Sequence, residues 1–295
     1  MKRILVTGAS GALGWNVCAV ARASWQVHGI VHRHAIDIPG VTGVTCDLSR
    51  PEELPRLFRE IAPDAVVHCA AAAQPDFCQT HPDESRRINV EVAARLAALC
   101  APAAIPCACV STDLVFDGTR APYREGDPVS PISVYGEQKA AAERAACARH
   151  PGAVICRLPP IFGDAGPASV SFLHPWVSAL RGGRPLTLFV DEFRTPVGTR
   201  VAAAGLLMAL ETDGGTLHLG GRERVSRYDL GVMAAEMLGA DPGLVLPGRQ
   251  RDRTVGAPRP PDVSLDSSRA YALGYDPPPL REALRAALRD LSGVR

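Results

Sequence analysis

Short β-branched apolar runs alternate along the first half of the chain with stretches in which apolar residues return every three or four positions. Residues 3–7, 27–31, 43–46, 65–68, 107–111 and 153–157 have the length and composition of buried strands. Between them lies a helix opened by Ser49-Arg50-Pro51-Glu52, a capping box with proline at the first helical position, ending near Ala62. Residues 86–101 and 133–149 supply two more helices. Strand and helix in alternation imply an α/β fold with a parallel, doubly wound sheet. Past residue 159 the pattern changes to proline- and glycine-containing loops, a short strand at 186–190, and helices near 226–238 and 280–291. The apolar run 201–210 reads as one buried helix, about half of what a membrane span needs. The expected layout is a larger domain over 1–160, rejoined by about 196–212. A smaller domain, 161–195 with 213–295, would close over its cleft.

The first strand runs into Gly8-Ala9-Ser10-Gly11-Ala12-Leu13-Gly14, a tight turn followed by a helix. Three glycines let the backbone approach a pyrophosphate, and the helix N-terminus offers unpaired N–H groups and a positive dipole end. The spacing is Gly-x-x-Gly-x-x-Gly, yet its place directly after the first strand marks a Rossmann-type dinucleotide domain. Ligands of such sheets bind beyond the carboxyl ends of the strands. That edge gathers Gly8, Asp47, residues 70–73 and Thr112. The second predicted strand ends in His32-Arg33-His34, with no acid to grip a ribose 2′-hydroxyl. Arg33 suits a 2′-phosphate, so NADP is expected, with NADPH preferred over NADH.

Composition narrows the class without naming the chemistry. Charged residues make up 21% of the chain and the formal net charge is +1, which leaves no strong field for nucleic acid or a membrane surface. Nine cysteines show neither a C-x-x-C pair nor bridge-like spacing, and several lie in apolar stretches. They read as free thiols in a reducing cytoplasm. Cys78 and His81 lack a second ligand pair of suitable spacing, so no metal site is expected. A secretory leader is not expected either, because three glycines, Asn16 and Arg22 interrupt any apolar core.

Of 32 lysines and arginines only two are lysine, Lys2 and Lys139, and Lys139 follows Tyr135 by four positions. On a helix that spacing puts phenol and ammonium on one face, where both reach one bound molecule. A cation beside a phenol favours its ionised form, so the pair reads as a general acid/base tuned toward neutral pH.

Thr7-Gly8-x-x-Gly11-x-x-Gly14, Ser111-Thr112-Asp113 and Tyr135-x-x-x-Lys139, in that order, resemble an extended short-chain dehydrogenase/reductase. Within that superfamily, Ser111-Thr112-Asp113-Leu114-Val115-Phe116-Asp117-Gly118 and Asp191-Glu192-Phe193-Arg194-Thr195-Pro196 are similar to the dTDP-4-dehydrorhamnose reductase group. The likeness extends to Arg259-Pro260 and on to Ser267. It implies an NADPH-dependent reductase of a 4-keto nucleotide sugar. Tyr135 would donate a proton to the reduced carbonyl oxygen, Lys139 would hold the nicotinamide ribose, and Thr112 would hydrogen-bond the carbonyl. Gly11, Ala12 and Leu13 would meet the pyrophosphate, with Gly8 and Ser10 also binding the cofactor, Asp47 and Leu48 would meet the adenine, and Ala71, Ala72 and Ala73 the ribose side.

The residues left over are Gln74, Asp76, Asp113, Arg194 and the proline-rich segment 255–261. Polar groups converging from both domains suit a hydroxyl-rich substrate, and Arg194 is read as a bidentate phosphate partner, which together point to a nucleotide sugar. The chain also departs from the group. Asn16 stands where the resemblance implies an acid that helps bind a dimer-bridging metal, so that metal-linked dimer is not carried over and a homodimer stays open. Gly198-Thr199-Arg200 replaces an expected aspartate. Two other readings remain: a cofactor-binding regulatory subunit without turnover, like the β-subunit of methionine adenosyltransferase, or a nucleotide-sugar epimerase or dehydratase. Leu114 counts against a dehydratase, which would be expected to carry glutamate just after the threonine.

Overall fold

The computed structural model describes residues 1–252 and 256–291, so Val255, at the start of the proline-rich segment, lies outside the described residues. β1 (Arg3–Thr7), β2 (Gln26–Val31), β3 (Val41–Thr45), β4 (Ala65–His68), β5 (Cys107–Thr112) and β6 (Val154–Leu158) form one sheet with the strand Gly215–His218. Their spatial order is Gly215–His218, β6, β5, β4, β1, β2, β3. All neighbours are parallel. The strands are almost continuously apolar because helices cover both faces. Ile4, Val6, Val67 and Ala108 pack under α1 (Ala12–Ala21) and the helix Thr199–Ala209. Leu5, Val66, Cys107 and Ile155 face α2 (Glu53–Ile61), α5 (Val92–Cys100) and α6 (Val134–Arg149). Chain order reverses between β1 and β4, which is where a doubly wound sheet opens its ligand crevice, beyond Thr7 and His68.

Local chemistry explains where the helices differ from their sequence patterns. α3 (Pro75–Thr80) and α4 (Pro82–Arg86) each begin on a proline, whose missing N–H costs nothing in a first turn. The helix expected over 86–101 starts earlier, at Pro82, and passes through one π turn, Arg87–Glu91, before α5. The capping box at Ser49 does not form. Ser49 Oγ donates to Asp47 Oδ1 at 2.7 Å, a local acceptor that outcompetes the helix, and α2 begins only at Glu53. α6 does receive its cap, with Ser133 Oγ accepting from the Gly136 N–H at 3.2 Å.

A further hydrophobic cluster packs Leu173–Arg181, Arg227–Leu238 and Leu280–Leu291 around Phe162, Trp176, Leu230 and Leu284. The short strand Leu186–Phe189 pairs in parallel with Val245–Gly248. Past the expected boundary at 213, one strand belongs to the large sheet. Gly215–His218 hydrogen-bonds along β6, and Leu219, Ala270 and Tyr275 join the core under the large sheet. The alternation was hidden because residues 161–195 interrupt it before the last helix and strand return.

Candidate active site

The glycine turn is built for close approach. Gly8 holds φ +69°, and a Cβ there would lie 2.8 Å from the Ala70 backbone; at Gly14 it would run into the Gly8 carbonyl. The loop after β4 and the first turn of α1 therefore close onto the end of β1. α1 starts from Gly11 with no side-chain cap, so its first N–H groups carry no intrahelical partner. Gly11 is exposed and Ser10, Ala12 and Leu13 are half-buried beside it, a cradle that fits a pyrophosphate. Arg33 is exposed beyond β2, between His32 and His34. Asp47 and Leu48 are half-buried beyond β3, with Asp47 Oδ1 accepting from the Ser49 N–H and hydroxyl, which holds its carboxyl below the ordinary range.

Tyr135 and Lys139 lie one turn apart on α6, 8% and 4% exposed. Lys139 Nζ donates to the Val110 carbonyl of β5 at 2.7 Å. Thr112 ends β5, its hydroxyl donating to Asp113 Oδ1 at 3.0 Å and accepting from the Leu114 N–H at 3.2 Å. The expected tuning toward neutral pH is corrected. Burial, reinforced by the Asp113 carboxylate, pushes the Tyr135 phenol up, while burial pulls the Lys139 ammonium down. For each group burial is the largest cause, since desolvation disfavours its charged form.

Sequence reasoning missed the residues that hold this arrangement. Asn89, in the π turn, donates to Gln138 Oε1 at 2.9 Å and clamps Ala72: its Oδ1 accepts from the Ala72 N–H at 2.8 Å and its Nδ2 donates to the Ala72 carbonyl at 3.2 Å. Gln138 Nε2 donates to Ser85 Oγ and the Pro82 carbonyl, each at 2.9 Å. The loop carrying Ala71, Ala72 and Ala73 is thus tied to α4 and α6. An asparagine inside an otherwise apolar helical stretch was the available signal. Arg157 within a buried strand was another, and it pairs with Glu143 at 2.8 Å.

The residues expected at the substrate separate into two groups. Gln74 is exposed before α3, while Asp76 Oδ1 accepts from the Ala257 N–H at 2.7 Å and links α3 to the segment of the second domain. Asp113 and Arg194 are brought together, 2% and 4% exposed. Arg194 does not stand free for a phosphate: its Nη1 donates to the Phe193 and Pro260 carbonyls at 2.7 and 3.2 Å. Its Nε lies 3.5 Å from Asp113 Oδ2 and its Nη2 3.7 Å from Glu192 Oε1. Arg227 and Arg259 approach the same Glu192 carboxylate, each at 3.6 Å. Three guanidiniums surround two carboxylates, so the cluster keeps positive charge. Asp113 is nonetheless raised to about 6, because burial outweighs the help of Arg194. Asp113 Oδ2 and Glu192 Oε2 are buried without a hydrogen-bond partner among the described residues. Asn16 donates to the Ala12 and Asp164 carbonyls, both at 2.8 Å, and so ties α1 to the loop after β6.

The RmlD substrate binding domain family matches residues 1–292. The chain is 34% identical over 297 residues to a probable low-salt glycan biosynthesis reductase of Haloferax volcanii, covering 97% of this chain and 98% of that one. It is 28% identical to methionine adenosyltransferase 2 subunit beta of Danio rerio, covering 97% and 90%. A crystal structure of a hypothetical dTDP-4-dehydrorhamnose reductase from Sulfolobus tokodaii superposes with a TM-score of 0.82 at 30% identity, covering 92% and 94%. The chain belongs to the RmlD-like family of extended short-chain dehydrogenase/reductases, a family of oxidoreductases.

Proposed function

We propose that this protein is an NADPH-dependent reductase of a 4-keto nucleotide sugar, with Tyr135 as the proton donor. The observation that carries the reading is that Tyr135 and Lys139 lie one turn apart on α6, with Lys139 Nζ donating to Val110 of β5 at 2.7 Å, while Thr112 ends that same strand. The nicotinamide, when bound, supplies hydride. Gly8, Ser10, Gly11, Ala12 and Leu13 would hold its pyrophosphate, Asp47 and Leu48 would border the adenine, and Ala71, Ala72 and Ala73 the ribose. A phenol pushed up by burial keeps its proton at neutral pH, which is the state a donor to a nascent alkoxide needs. Lys139, anchored on the Val110 carbonyl, sets a positive charge beside that phenol. Thr112 orients the carbonyl once its hydroxyl turns from Asp113.

The substrate class follows from the acid and arginine cluster. Asp113 Oδ2, 3.5 Å from Arg194 Nε but with no hydrogen-bond partner among the described residues, suits a sugar hydroxyl. Arg227 and Arg259, less buried than Arg194, suit the diphosphate, and Arg194 holds Asp113 in place. The test is purified protein with NADPH and a panel of 4-keto nucleotide sugars. Net oxidation of NADPH is expected, and Tyr135→Phe should lower kcat by about 100- to 10,000-fold while leaving NADPH binding nearly intact. Wild-type turnover in that variant would overturn the assignment. NADPH binding without oxidation by any substrate would favour a regulatory subunit, a reading that rests on the similarity to methionine adenosyltransferase 2 subunit beta.

A further inference from the structure

The face of the large sheet that lies under α6 carries a row of buried polar side chains. Ser111 of β5, Arg157 of β6 and His218 of the strand Gly215–His218 are direct cross-strand partners, so all three point to that face. α6 supplies Glu143 to the row, one turn after Lys139. Arg157 grips both carboxylate oxygens, Nε donating to Oε1 at 3.0 Å and Nη2 to Oε2 at 2.8 Å, and Ser111 Oγ donates to Oε1 as well. On the far side His218 Nδ1 donates to the Tyr123 carbonyl at 3.1 Å, which leaves Nε2 as an acceptor 3.4 Å from Arg157 Nη1.

Burying such a pair carries a desolvation cost that apolar side chains of similar size avoid. What it adds is direction. Apolar contacts let a helix slide on a sheet, whereas a carboxylate held at both oxygens by a planar fork has one orientation. α6 is therefore attached to β5 at two consecutive residues, both directly before Thr112: Lys139 Nζ donates to the Val110 carbonyl at 2.7 Å, and Glu143 accepts from Ser111. The fork has a second effect. Glu143 and Lys139 stand at the spacing at which a carboxylate and an ammonium pair along a helix, and Arg157 holds the carboxylate on β6 instead.

We propose that Glu143, fixed by Arg157 and Ser111, is a positioning residue: it sets the register of α6 on β5, and with it the placing of Tyr135 and Lys139 relative to Thr112, while Arg157 keeps the carboxylate off the Lys139 ammonium. The role in catalysis rests on the reductase reading above, whereas the clamp does not. The titratable groups around Lys139 are His68 on β4, Cys69 after it, Cys78 on α3, Cys109 on β5, and Tyr135 and Glu143 on α6 itself. Around Glu143 they are Arg157 on β6 and Cys147 on α6.

The test uses the fact that the chain has two lysines, Lys2 and Lys139. In protein labelled with ¹³C at lysine Cε, NMR yields one exposed and one buried signal, and pH titration reads Lys139 directly without any substrate. Arg157→Met keeps the apolar stem and removes the fork, which releases the carboxylate to the ammonium one turn away. An opposite charge brought closer favours the charged form, so the Lys139 midpoint should rise by about one unit or more. Adding Glu143→Gln should cancel that rise. In the same Arg157→Met variant kcat for keto-sugar reduction should fall at least about tenfold while NADPH affinity is kept. A midpoint that stays or drops in Arg157→Met, or an equal rise in the double variant, refutes the clamp; a pair that only held the fold together would give the first result. Should Arg157→Met not fold, Ser111→Ala takes one of three donors from the carboxylate and leaves the ion pair. It should shift the midpoint upward by a smaller step and lower kcat, and wild-type values for both rule the clamp out. If the midpoint rises but the variant reduces keto-sugar as fast as wild type, the positioning role is wrong. If the wild-type protein itself reduces none, the reductase reading fails and the clamp stands.

Discussion

At the residue scale, the decisive quantity is how deeply each charged group is buried. Arg33 is exposed and pairs with no acid among the described residues, so its charge is available to a 2′-phosphate. NADPH should bind at least about tenfold more tightly than NADH, roughly 1.4 kcal/mol. Arg33→Ala should remove that ratio in a fluorescence titration, and equal affinities in the wild-type protein would sink the idea. Arg194 is the opposite case. Its truncation leaves Asp113 and Glu192 buried with weakened compensation, so Arg194→Ala should cost about 3–5 kcal/mol in denaturant unfolding rather than act on ligand binding alone. Asp113 itself carries a pH signature. Its folded-state pKa of about 6 lies above the ordinary 3.8, so its contribution to stability is present below pH 4 and lost as pH rises through 6. The loss approaches about 3 kcal/mol. Asp113→Asn mimics the protonated form and should gain on wild type between pH 4 and pH 8, which urea titrations at both values measure.

At the scale of elements, the first strand, its turn and α1 act as one unit, and the three glycines serve different ends. Gly14 separates α1 from the Gly8 carbonyl, so Gly14→Ala should destabilise the fold by about 1–3 kcal/mol. At Gly11 the nearest atom to an added Cβ is the Gly8 oxygen at 3.3 Å, and its φ of −80° suits any residue. Gly11→Ala should therefore leave the unfolding midpoint nearly unchanged and weaken NADPH, because the methyl enters the cradle. Equal effects of the two substitutions on stability would contradict this division. The helical run from Pro82 to Cys100 shows where a pattern read along the chain stops. Its apolar periodicity was legible, but the π turn that swings Asn89 onto Ala72 depends on Gln138, 49 positions away.

At the scale of the whole molecule, buried histidines set the response to acid. His68 and His218 are almost wholly buried, with folded-state pKa values lowered by burial to about 3 and about 4. Both lie below the ordinary 6.5, so the stability they contribute is present above pH 6.5 and lost as pH falls through those values. Several kcal/mol are at stake, more than the roughly 3 kcal/mol of opposite sign from Asp113. Thermal stability should fall below about pH 5, and His218→Gln should flatten that limb. A wild-type melting temperature that held constant from pH 7 to pH 4 would refute the account.

The chain's own order of residues determined the alternating strands and helices, the glycine turn, the Tyr135 and Lys139 pairing and the family resemblance. Each rests on neighbours within a turn or strand, where period and spacing are physical constraints. The seventh strand escaped notice because an inserted segment separates it from its partner. The protonation of Tyr135, Lys139, Asp113 and His68, and the burial of Arg194 against Asp113, were decided only by tertiary structure. Desolvation depends on every element packed around a group. Thr7 meets His68 and Arg194 meets Asp113 across 61 and 81 positions, distances over which local pattern carries no information.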